Sequence, residues 1–503
     1  MRFSWAIGAG LAAALSLGTA LPSSYGAEHT QRASLPEAAS GRAGQALAQA
    51  RDLFEARDPV AARRTVGAGR DATLALRDLV RVRSQLRGTA AREADRLLAR
   101  PAARRTRCAL RFCVHWNPAT ASPTYIDQVV ATITDVHQQY VDAGYRPPRP
   151  DGGRGGNNKT DIYIRDVGAL GLYGYCTTDK RIRAREPSDA WAYCVLDNDY
   201  RPGQFPALTR LDNLRVTAAH EYFHAVQFAY DAFEDAWFME ATATWAEDEV
   251  YPDINDNVQY LRHGPLGRPG VPLDRFALGG LHQYGVWVFF RYLAEQFPSP
   301  AGMSPLVRQM WQRADGSAGG PDLYSLRAVR ATLAARGESL ARQFARFADA
   351  NRRPDVEYAD GGLYPTAPPG GTRRLEAGQT SGWISRDLDH LSSTTLRFTP
   401  TGSSPRALRV QLDMAAPRRG SLAVVTAYAG TLPLTSTLVR PDRLGHETLT
   451  VAMNGGGVSR IEVTLVNAST RTRCGRSLIS PYSCFGSPRD DNLTQRVRVV
   501  AVP

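Results

Sequence analysis

The spacing of the apolar residues changes twice along the chain, and this change constrains the fold more than any other feature. Over residues 28–107 the spacing is helical, as in Ala46–Ala56 and Thr73–Arg87, and no strand-like run occurs. Over residues 108–353 strand-like and helical segments alternate. After Pro365–Gly371, short runs of alternating apolar and polar residues recur between turns rich in Gly, Pro and Ser. The pattern predicts an α+β protein in which a helical leader precedes a mixed domain and a β-sandwich follows it.

The same periodicity predicts individual elements. In the mixed segment the strands are Leu110–Trp116 and Thr160–Val167, and the helices are Thr124–Ala143, Arg215–Tyr230, Trp237–Val250, Tyr284–Phe297 and Glu338–Asn351. In the last segment the strands are Thr395–Phe398, Leu408–Leu412, Leu422–Tyr428, Glu447–Met453, Ile461–Val466 and Val497–Val502. A chain of 503 residues exceeds the ~300 at which a single core stops growing. We therefore expect a signal peptide over 1–26, a helical arginine-rich leader or propeptide over 27–107, a mixed domain over 108–365 and a β-sandwich over 366–503.

The N-terminus has the features of an export signal. Arg2 precedes the apolar stretch Trp5–Leu21, which three glycines interrupt, and small residues allow cleavage after Ala20, Gly26 or Ala27. An uncleaved membrane anchor is the alternative. Beyond this stretch there is no uninterrupted apolar run of ~18 residues, so we expect a secreted protein without stable membrane insertion.

Six cysteines in an exported chain are expected to pair. Each cysteine has one neighbour much closer in sequence than the others, and the simplest scheme consists of three local disulfides. The predicted pairs are Cys108–Cys113, Cys176–Cys194 and Cys474–Cys484. The chain contains no Cys-x-x-Cys, which disfavours a metal site built from cysteines.

The positive charge is concentrated in the leader. The chain carries +12 in total, but residues 28–107 hold 17 arginines against nine acidic residues, a net charge of +8. The remainder of the chain is therefore almost balanced. Because the bulk of the chain is almost balanced, we expect no nucleic-acid partner despite the positive net charge.

Residues 220–224 read His-Glu-Tyr-Phe-His, which is a metal-binding pattern when it lies on a helix. Residues four apart share one helix face, so His220 and His224 can offer two imidazoles to one ion. Glu221 is then placed to reach a water on that ion. The flanking residues are small or apolar, which predicts a buried helix, and buried ionisable groups require a partner. A chance match is the alternative.

The third ligand is expected on the next helical segment. Catalytic zinc sites use three protein ligands and leave one position for water. Glu240 follows His224 after 15 intervening residues, early in an apolar helical segment. Glu247 lies two turns, or ~10 Å, further along the helix axis, so both carboxylates cannot bind one ion. We expect Glu240 to be the ligand and Glu247 to lie on a solvated helix end.

The two motifs together resemble those of the gluzincin metallopeptidases, the zincins that include thermolysin and the aminopeptidase N family. Trp237–Ala243 is similar to the Trp-Leu-Asn-Glu-Gly-Phe-Ala segment in which the latter family places its third ligand. The resemblance covers roughly residues 110–350 and implies a zincin-like domain with Glu221 as general base. The Zn²⁺ ligands that it implies are His220, His224 and Glu240.

The chain also departs from these families. Its spacer between the motifs is shorter, and Thr244 replaces the thermolysin-like carboxylate four residues after the ligand glutamate. The resembling families place an oxyanion-stabilising tyrosine before a glycine at a later helix start, which here is Tyr284, with His282 as second candidate. A core aromatic and a surface histidine are the alternatives. In zincins an edge strand binds the substrate backbone, which implies this role for Asp161–Val167.

These observations predict a secreted zinc-dependent peptidase that acts as a monomeric endopeptidase on protein or peptide substrates, with Glu221 as base to a zinc-activated water. Cell-wall peptide is the alternative substrate. The alternative is a secreted binding or adhesion protein that uses its β-sandwich and carries a structural or vestigial zinc. The turn at Asp253, Asn255, Asp256 and Asn257 matches no calcium loop and is expected to be solvated.

The leader is expected to restrain the mixed domain and to be removable. It ends near Arg104-Arg105, where a trypsin-like protease could cut. Its positive charge could dock on acidic residues such as Asp231, Glu234 and Asp235. A permanent helical appendage is the alternative.

Overall fold

The fold was analysed in a computed structural model. It describes residues 41–55, 72–182, 186–300, 302–402, 405–453, 457–475 and 480–503. The predicted signal peptide lies outside the described residues, and so do residues 27–40 and 56–71 of the predicted leader. The described chain combines helices and sheets as an α+β protein, which confirms the predicted class.

The leader is helical as predicted, but its end is a strand. Helices α1 (Arg42–Phe54), α2 (Ala72–Val82) and α3 (Gly88–Leu97) are followed by strand β1 (Arg105–Cys108), which pairs antiparallel with β2 (Phe112–Trp116). The expectation that no strand occurs before residue 108 is therefore wrong. All four residues of β1 are exposed, so the strand has no alternation of apolar residues that the sequence could reveal.

Five strands form the sheet of the mixed region, in the order β1-β2-β3-β5-β4. Strands β2, β3 (Thr160–Arg165) and β5 (Tyr193–Asp197) are parallel, and β4 (Gly174–Thr177) pairs antiparallel with β5 at the edge. Because β3 is paired on both sides, it is not the edge strand that the resemblance implied. Strand β4 occupies that edge.

Helices cover both faces of this sheet. Ile162 and Ile164 of β3 pack into the core formed with helix α4 (Pro123–Asp142), whereas Tyr163 between them packs into a second core. Successive residues of a strand point to opposite faces, which explains the division. The second core is formed by the leader helices together with strand residues of the sheet, and its members include Leu47, Leu76, Leu79, Leu98, Tyr175, Tyr193 and Val195. The leader therefore completes the core of the mixed region.

Two long helices follow the sheet. Helix α5 spans Arg210–Asp231 and begins where Thr209 accepts a hydrogen bond from the Asp212 amide; α6 spans Ala236–Val250. The remaining α-helices of the described residues are α7 (His282–Gly285), α8 (Trp287–Gln296), α9 (Pro305–Arg313), α10 (Ser325–Ala334), α11 (Leu340–Ala350) and α12 (Pro354–Glu357). Within the described part of the chain, none of the helices has the length and apolar content that a membrane span requires.

The C-terminal residues form two sheets around one core. The sheet orders are β11-β10-β13-β8-β6 and β12-β9-β16-β7. Their strands are β6 (Gly371–Leu375), β7 (Ile384–Leu388), β8 (Ser392–Pro400), β9 (Ala407–Asp413), β10 (Ser421–Ala429), β11 (Leu432–Val439), β12 (His446–Ala452), β13 (Arg460–Asn467) and β16 (Leu493–Val502), and the short strands β14 (Thr472–Arg473) and β15 (Ser487–Pro488) form a separate pair. Phe398, Val410, Val463 and Val499 lie in the core that both sheets share. The six predicted strands are present, and the three local disulfides are confirmed.

Candidate active site

Helices α5 and α6 bring together the three predicted metal ligands. His220 and His224 lie one turn apart on α5, and Glu240 lies on α6, which packs against it. The Nε2 atoms of the two histidines are 3.1 Å apart. Glu240 places Oε2 3.2 Å from His220 Nε2 and Oε1 3.8 Å from His224 Nε2. All three side chains are buried.

This donor set fits a divalent metal ion. A tetrahedral zinc ion with bonds of about 2.0–2.1 Å separates its ligand atoms by roughly 3.3 Å, and the three measured separations, 3.1–3.8 Å, bracket that value. Glu240 is fully buried, and its Oε1 accepts no hydrogen bond from any described residue. Burial of an unpaired carboxylate oxygen is costly, and a cation at this point would remove the cost.

Glu247 holds the other nitrogen of His220. Its Oε1 lies 2.6 Å from His220 Nδ1, and the side chain is buried. The expectation of a solvated helix end is therefore wrong. Seven residues are two helical turns, so Glu247 lies on the same face as Glu240 and reaches the imidazole from the opposite side. It supplies the support that Thr244, whose hydroxyl has no described partner, does not give.

Gln227 performs the same task for His224. Its Nε2 donates to Met239 O (2.9 Å) and to Thr242 Oγ1 (3.1 Å), which fixes the orientation of the amide. Its Oε1 must then accept from His224 Nδ1 at 2.7 Å. This leaves the lone pair of His224 Nε2 for the ligand position. Burial lowers the pKa of His224 to about 4, so its imidazole is neutral, as a metal ligand must be.

The two carboxylates make the site attractive to positive charge. Burial lowers the pKa of His220, but hydrogen bonds to Glu240 and Glu247 outweigh it and raise the pKa well above its ordinary value. The site thus favours a cation between these groups, whether a proton or a metal ion.

Glu221 lies beside the ligands and is also buried. Its Oε2 accepts a hydrogen bond from the hydroxyl of Thr73 on α2, at 3.1 Å. Burial raises the pKa of Glu221 to about 7, which is in the range that suits a general base near neutral pH.

A small cleft opens onto this group. It is lined by Tyr173, Gly174, Val216, Thr217, His220, Glu221, Glu247, Asp256 and Tyr284. The ring of Tyr284 is 6.1 Å from that of His220, so the structure brings this predicted residue to the site. His282 lies elsewhere: its ring nitrogens are 3.1 Å from His263 O and 2.9 Å from Pro272 O.

Sequence reasoning missed three residues around the site. Gln227 follows His224 by one turn of the same helix, so helical spacing could have indicated it. Spacing puts Glu247 on the same face as Glu240, but its contact with His220 depends on how the two helices pack. Thr73 is 148 residues from Glu221 in sequence and gives no such signal. The turn that was expected to be solvated is so only in part: Asp253 is exposed, whereas Asp256 and Asn257 are buried.

Comparison with known proteins finds no matching family model and no matching curated protein. The pre-peptidase C-terminal domain of a collagenase from Bacillus anthracis shows 8% identity and a TM-score of 0.15, over 26% of this chain and 95% of that domain. A family GH115 4-O-methyl-α-glucuronidase with specificity for decorated arabinogalactans shows 8% identity and a TM-score of 0.14, over 72% of this chain and 54% of its own. Similarity at this level defines no shared fold, so the geometry of the site carries the functional argument.

Proposed function

We propose that the chain is a secreted zinc-dependent peptidase of the gluzincin type, which acts as a monomeric endopeptidase on protein or peptide substrates. The observation that carries the proposal is the arrangement of His220, His224 and Glu240 beside Glu221 and a small cleft. A purely structural metal site has no use for a carboxylate that lies next to its ligands and is not itself a ligand. The resemblance of the two motifs to those of gluzincins and the three disulfides are further support.

His220, His224 and Glu240 would hold the ion, which when bound supplies Lewis acidity toward the scissile carbonyl and toward water. The protein residues perform the remaining tasks. Glu221 takes a proton from the attacking water and passes it to the leaving amine. The hydroxyl of Tyr284 donates a hydrogen bond to the oxygen that becomes negative in the transition state.

The edge strand β4 gives the substrate a place to bind. Gly174 begins β4 and lines the cleft next to Glu221, and β5 pairs with only one side of the strand. A Cβ at Gly174 would lie 3.1 Å from Glu221 Cγ and 2.9 Å from Val195 O. Any larger residue would therefore crowd Glu221, and glycine lets the main chain of β4 lie close to the carboxylate. Thr73 already accepts the amide of Cys176, so an extended peptide can add to this edge through main-chain hydrogen bonds only at Gly174, where the cleft lies. This mode suits an endopeptidase, because it requires no free substrate terminus.

The test combines metal analysis with a protease assay on the purified protein. We expect about one zinc per chain and hydrolysis of casein or gelatin that a chelator abolishes and added zinc restores. Zinc-loaded protein that hydrolyses neither substrate nor a mixed peptide library would contradict the proposal.

A secreted binding protein is the second candidate, and one observation on the β-sandwich favours it. Trp383 is partly exposed, and the guanidinium groups of Arg496 and Arg498 lie 5.0 and 4.8 Å from its ring centroid. Exposed aromatic and arginine side chains are typical of binding surfaces. Bound zinc without hydrolysis, together with ligand capture that Trp383→Ala abolishes, would support this candidate.

A further inference from the structure

Helix α2 of the leader reaches the candidate base directly. Thr73 lies in the first turn of α2 and is fully buried. Its Oγ1 accepts a hydrogen bond from the Cys176 amide at 2.9 Å and donates one to Glu221 Oε2 at 3.1 Å. A residue of the leader thus connects the edge strand β4 to the functional carboxylate of α5.

The direction of these hydrogen bonds is determined by chemistry. A backbone amide can only donate, so the hydroxyl of Thr73 acts as acceptor toward Cys176. Its single proton is then available for Glu221, and an ionised carboxylate can only accept. One oxygen of Glu221 is therefore held in a defined position, which leaves the other for proton transfer.

Thr73 takes the edge of β4 at one point. It accepts the amide of Cys176, two residues along the strand from Gly174, which lines the cleft together with Glu221. Thr73 itself does not line the cleft. The contact therefore leaves the part of β4 at the cleft to a substrate while it holds the carboxylate of Glu221.

The rest of the leader is anchored around this contact. Arg77, one turn after Thr73, is buried and donates to the carbonyl of Glu234 at 2.9 Å. Arg100 pairs with the buried carboxylate of Asp161 and with Asp151 at 2.8 Å. Loss of the leader would remove Arg100 from both buried carboxylates, of which Asp161 would keep His115 at 2.6 Å, and this loss is unfavourable.

We propose that Thr73 is a positioning residue for Glu221 and that helix α2 remains part of the active protein. The inference rests on the proposed peptidase function. It favours a leader that stays on the protein over a propeptide that is removed. By holding one oxygen, Thr73 orients the carboxylate toward the attacking water. Groups that orient a catalytic or metal-binding side chain in this way typically contribute about 10- to 100-fold to activity.

The test compares Thr73→Val, which keeps the shape and removes the hydroxyl, with Thr73→Ser, which keeps the hydroxyl. Thr332→Val is the matched control, since Thr332 is also buried in a helix and its hydroxyl bonds only the carbonyl of Ala328 in the described structure. We expect Thr73→Val to lower kcat about 10- to 100-fold with unchanged KM and zinc content. Thr73→Ser and Thr332→Val should stay close to the wild type. Intact mass of the active secreted protein should include residues 72–82.

Hydrogen exchange of the peptide that contains Gly174–Thr177 provides a readout independent of activity. It should become faster in Thr73→Val and remain protected in Thr73→Ser. An unchanged or raised kcat in Thr73→Val, or an active species that begins after residue 82, would overturn the inference while the peptidase proposal stands. If the wild type cleaves nothing, the proposed function fails separately, and equal exchange in the wild type and Thr73→Val would overturn the Thr73 contact as well.

Discussion

The leader and the β-sandwich flank the same central region, but they contact it in different ways. The leader reaches the candidate site itself through Thr73 and Glu221. The sandwich is joined to the central region by buried polar pairs, among them Arg352 with Glu462 and Asp274 with His390. None of the described residues of the sandwich lines the cleft.

The difference shows two ways in which one chain can use a flanking unit. A hydrogen bond to a reacting carboxylate affects the chemistry, because a small displacement of that group changes the rate. A buried ion pair far from the cleft affects only how firmly the unit is held and oriented. Changes in the central region and leader should therefore alter catalysis, whereas changes at the sandwich should alter stability.

The largest expected effect is the loss of peptide hydrolysis when Glu221, the proposed base, is replaced. Glu221→Gln should reduce peptide hydrolysis by about 10²- to 10⁴-fold, because the amide cannot accept the proton, and zinc should remain bound. Rate measurements and metal stoichiometry check both statements. Glu338→Gln, the same change away from the cleft, is the control. A Glu221→Gln protein that lost its zinc would show that Glu221 is a ligand and not the base.

Substitution of the two carboxylates of α6 should affect zinc binding to different degrees, because Glu240 is a proposed ligand and Glu247 only orients His220. Glu240→Ala removes one of three metal ligands and should abolish zinc retention through dialysis. Glu247→Ala leaves the ligands in place but frees His220 Nδ1, so it should weaken zinc affinity by about 10- to 100-fold. Competition with a chromogenic chelator measures both affinities. Normal zinc content in Glu240→Ala combined with loss in Glu247→Ala would exchange the two roles.

The ion pair between the central region and the sandwich should affect stability alone. Arg352 binds Glu462 through two hydrogen bonds of 2.8 and 2.9 Å, and both side chains are almost fully buried. Glu462→Gln leaves buried arginine charge uncompensated and should lower the free energy of unfolding by about 3–5 kcal/mol. Asp127→Asn, which breaks the exposed pair with Arg107, should cost at most ~1 kcal/mol. Denaturant titration measures both, and a large fall in kcat of folded Glu462→Gln would refute the distinction.

The last prediction is a pH dependence of stability at the same boundary. Burial lowers the pKa of His390, but the carboxylates of Asp274 and Asp491 outweigh it and raise the pKa to about 10. The folded-state pKa exceeds the unfolded value of about 6.5, so this stabilisation is complete below pH ~6.5 and is lost as the pH rises toward 10. The free energy of unfolding should fall more steeply over this window in the wild type than in His390→Asn. Parallel slopes in denaturant titrations at successive pH values would contradict the assignment.

Much of the fold follows from local patterns. The predicted helices over Arg215–Tyr230 and Trp237–Val250 match α5 and α6 closely, because the helical spacing of apolar residues repeats over several turns in both. Strand β11 was missed because its side chains are exposed along most of its length, so no alternation marks it. Strand β1 was not predicted for the same reason.

The sequence by itself determined which side chains share a helix face. His220 and His224 are four residues apart, and this spacing places both imidazoles on one side of α5 wherever the helix lies. The local disulfides were likewise determined by short separations along the chain. Such relations depend only on the geometry of one element.

Only the tertiary structure decided which strand forms the edge and what supports each functional group. The order β1-β2-β3-β5-β4 places β4 beside Glu221, and the packing of the leader on that sheet brings Thr73 to the same carboxylate. Glu247 could be placed against His220 only when the packing of α6 on α5 was known. These contacts join residues far apart in sequence, and their formation depends on how whole elements bury their apolar faces, which no local spacing encodes.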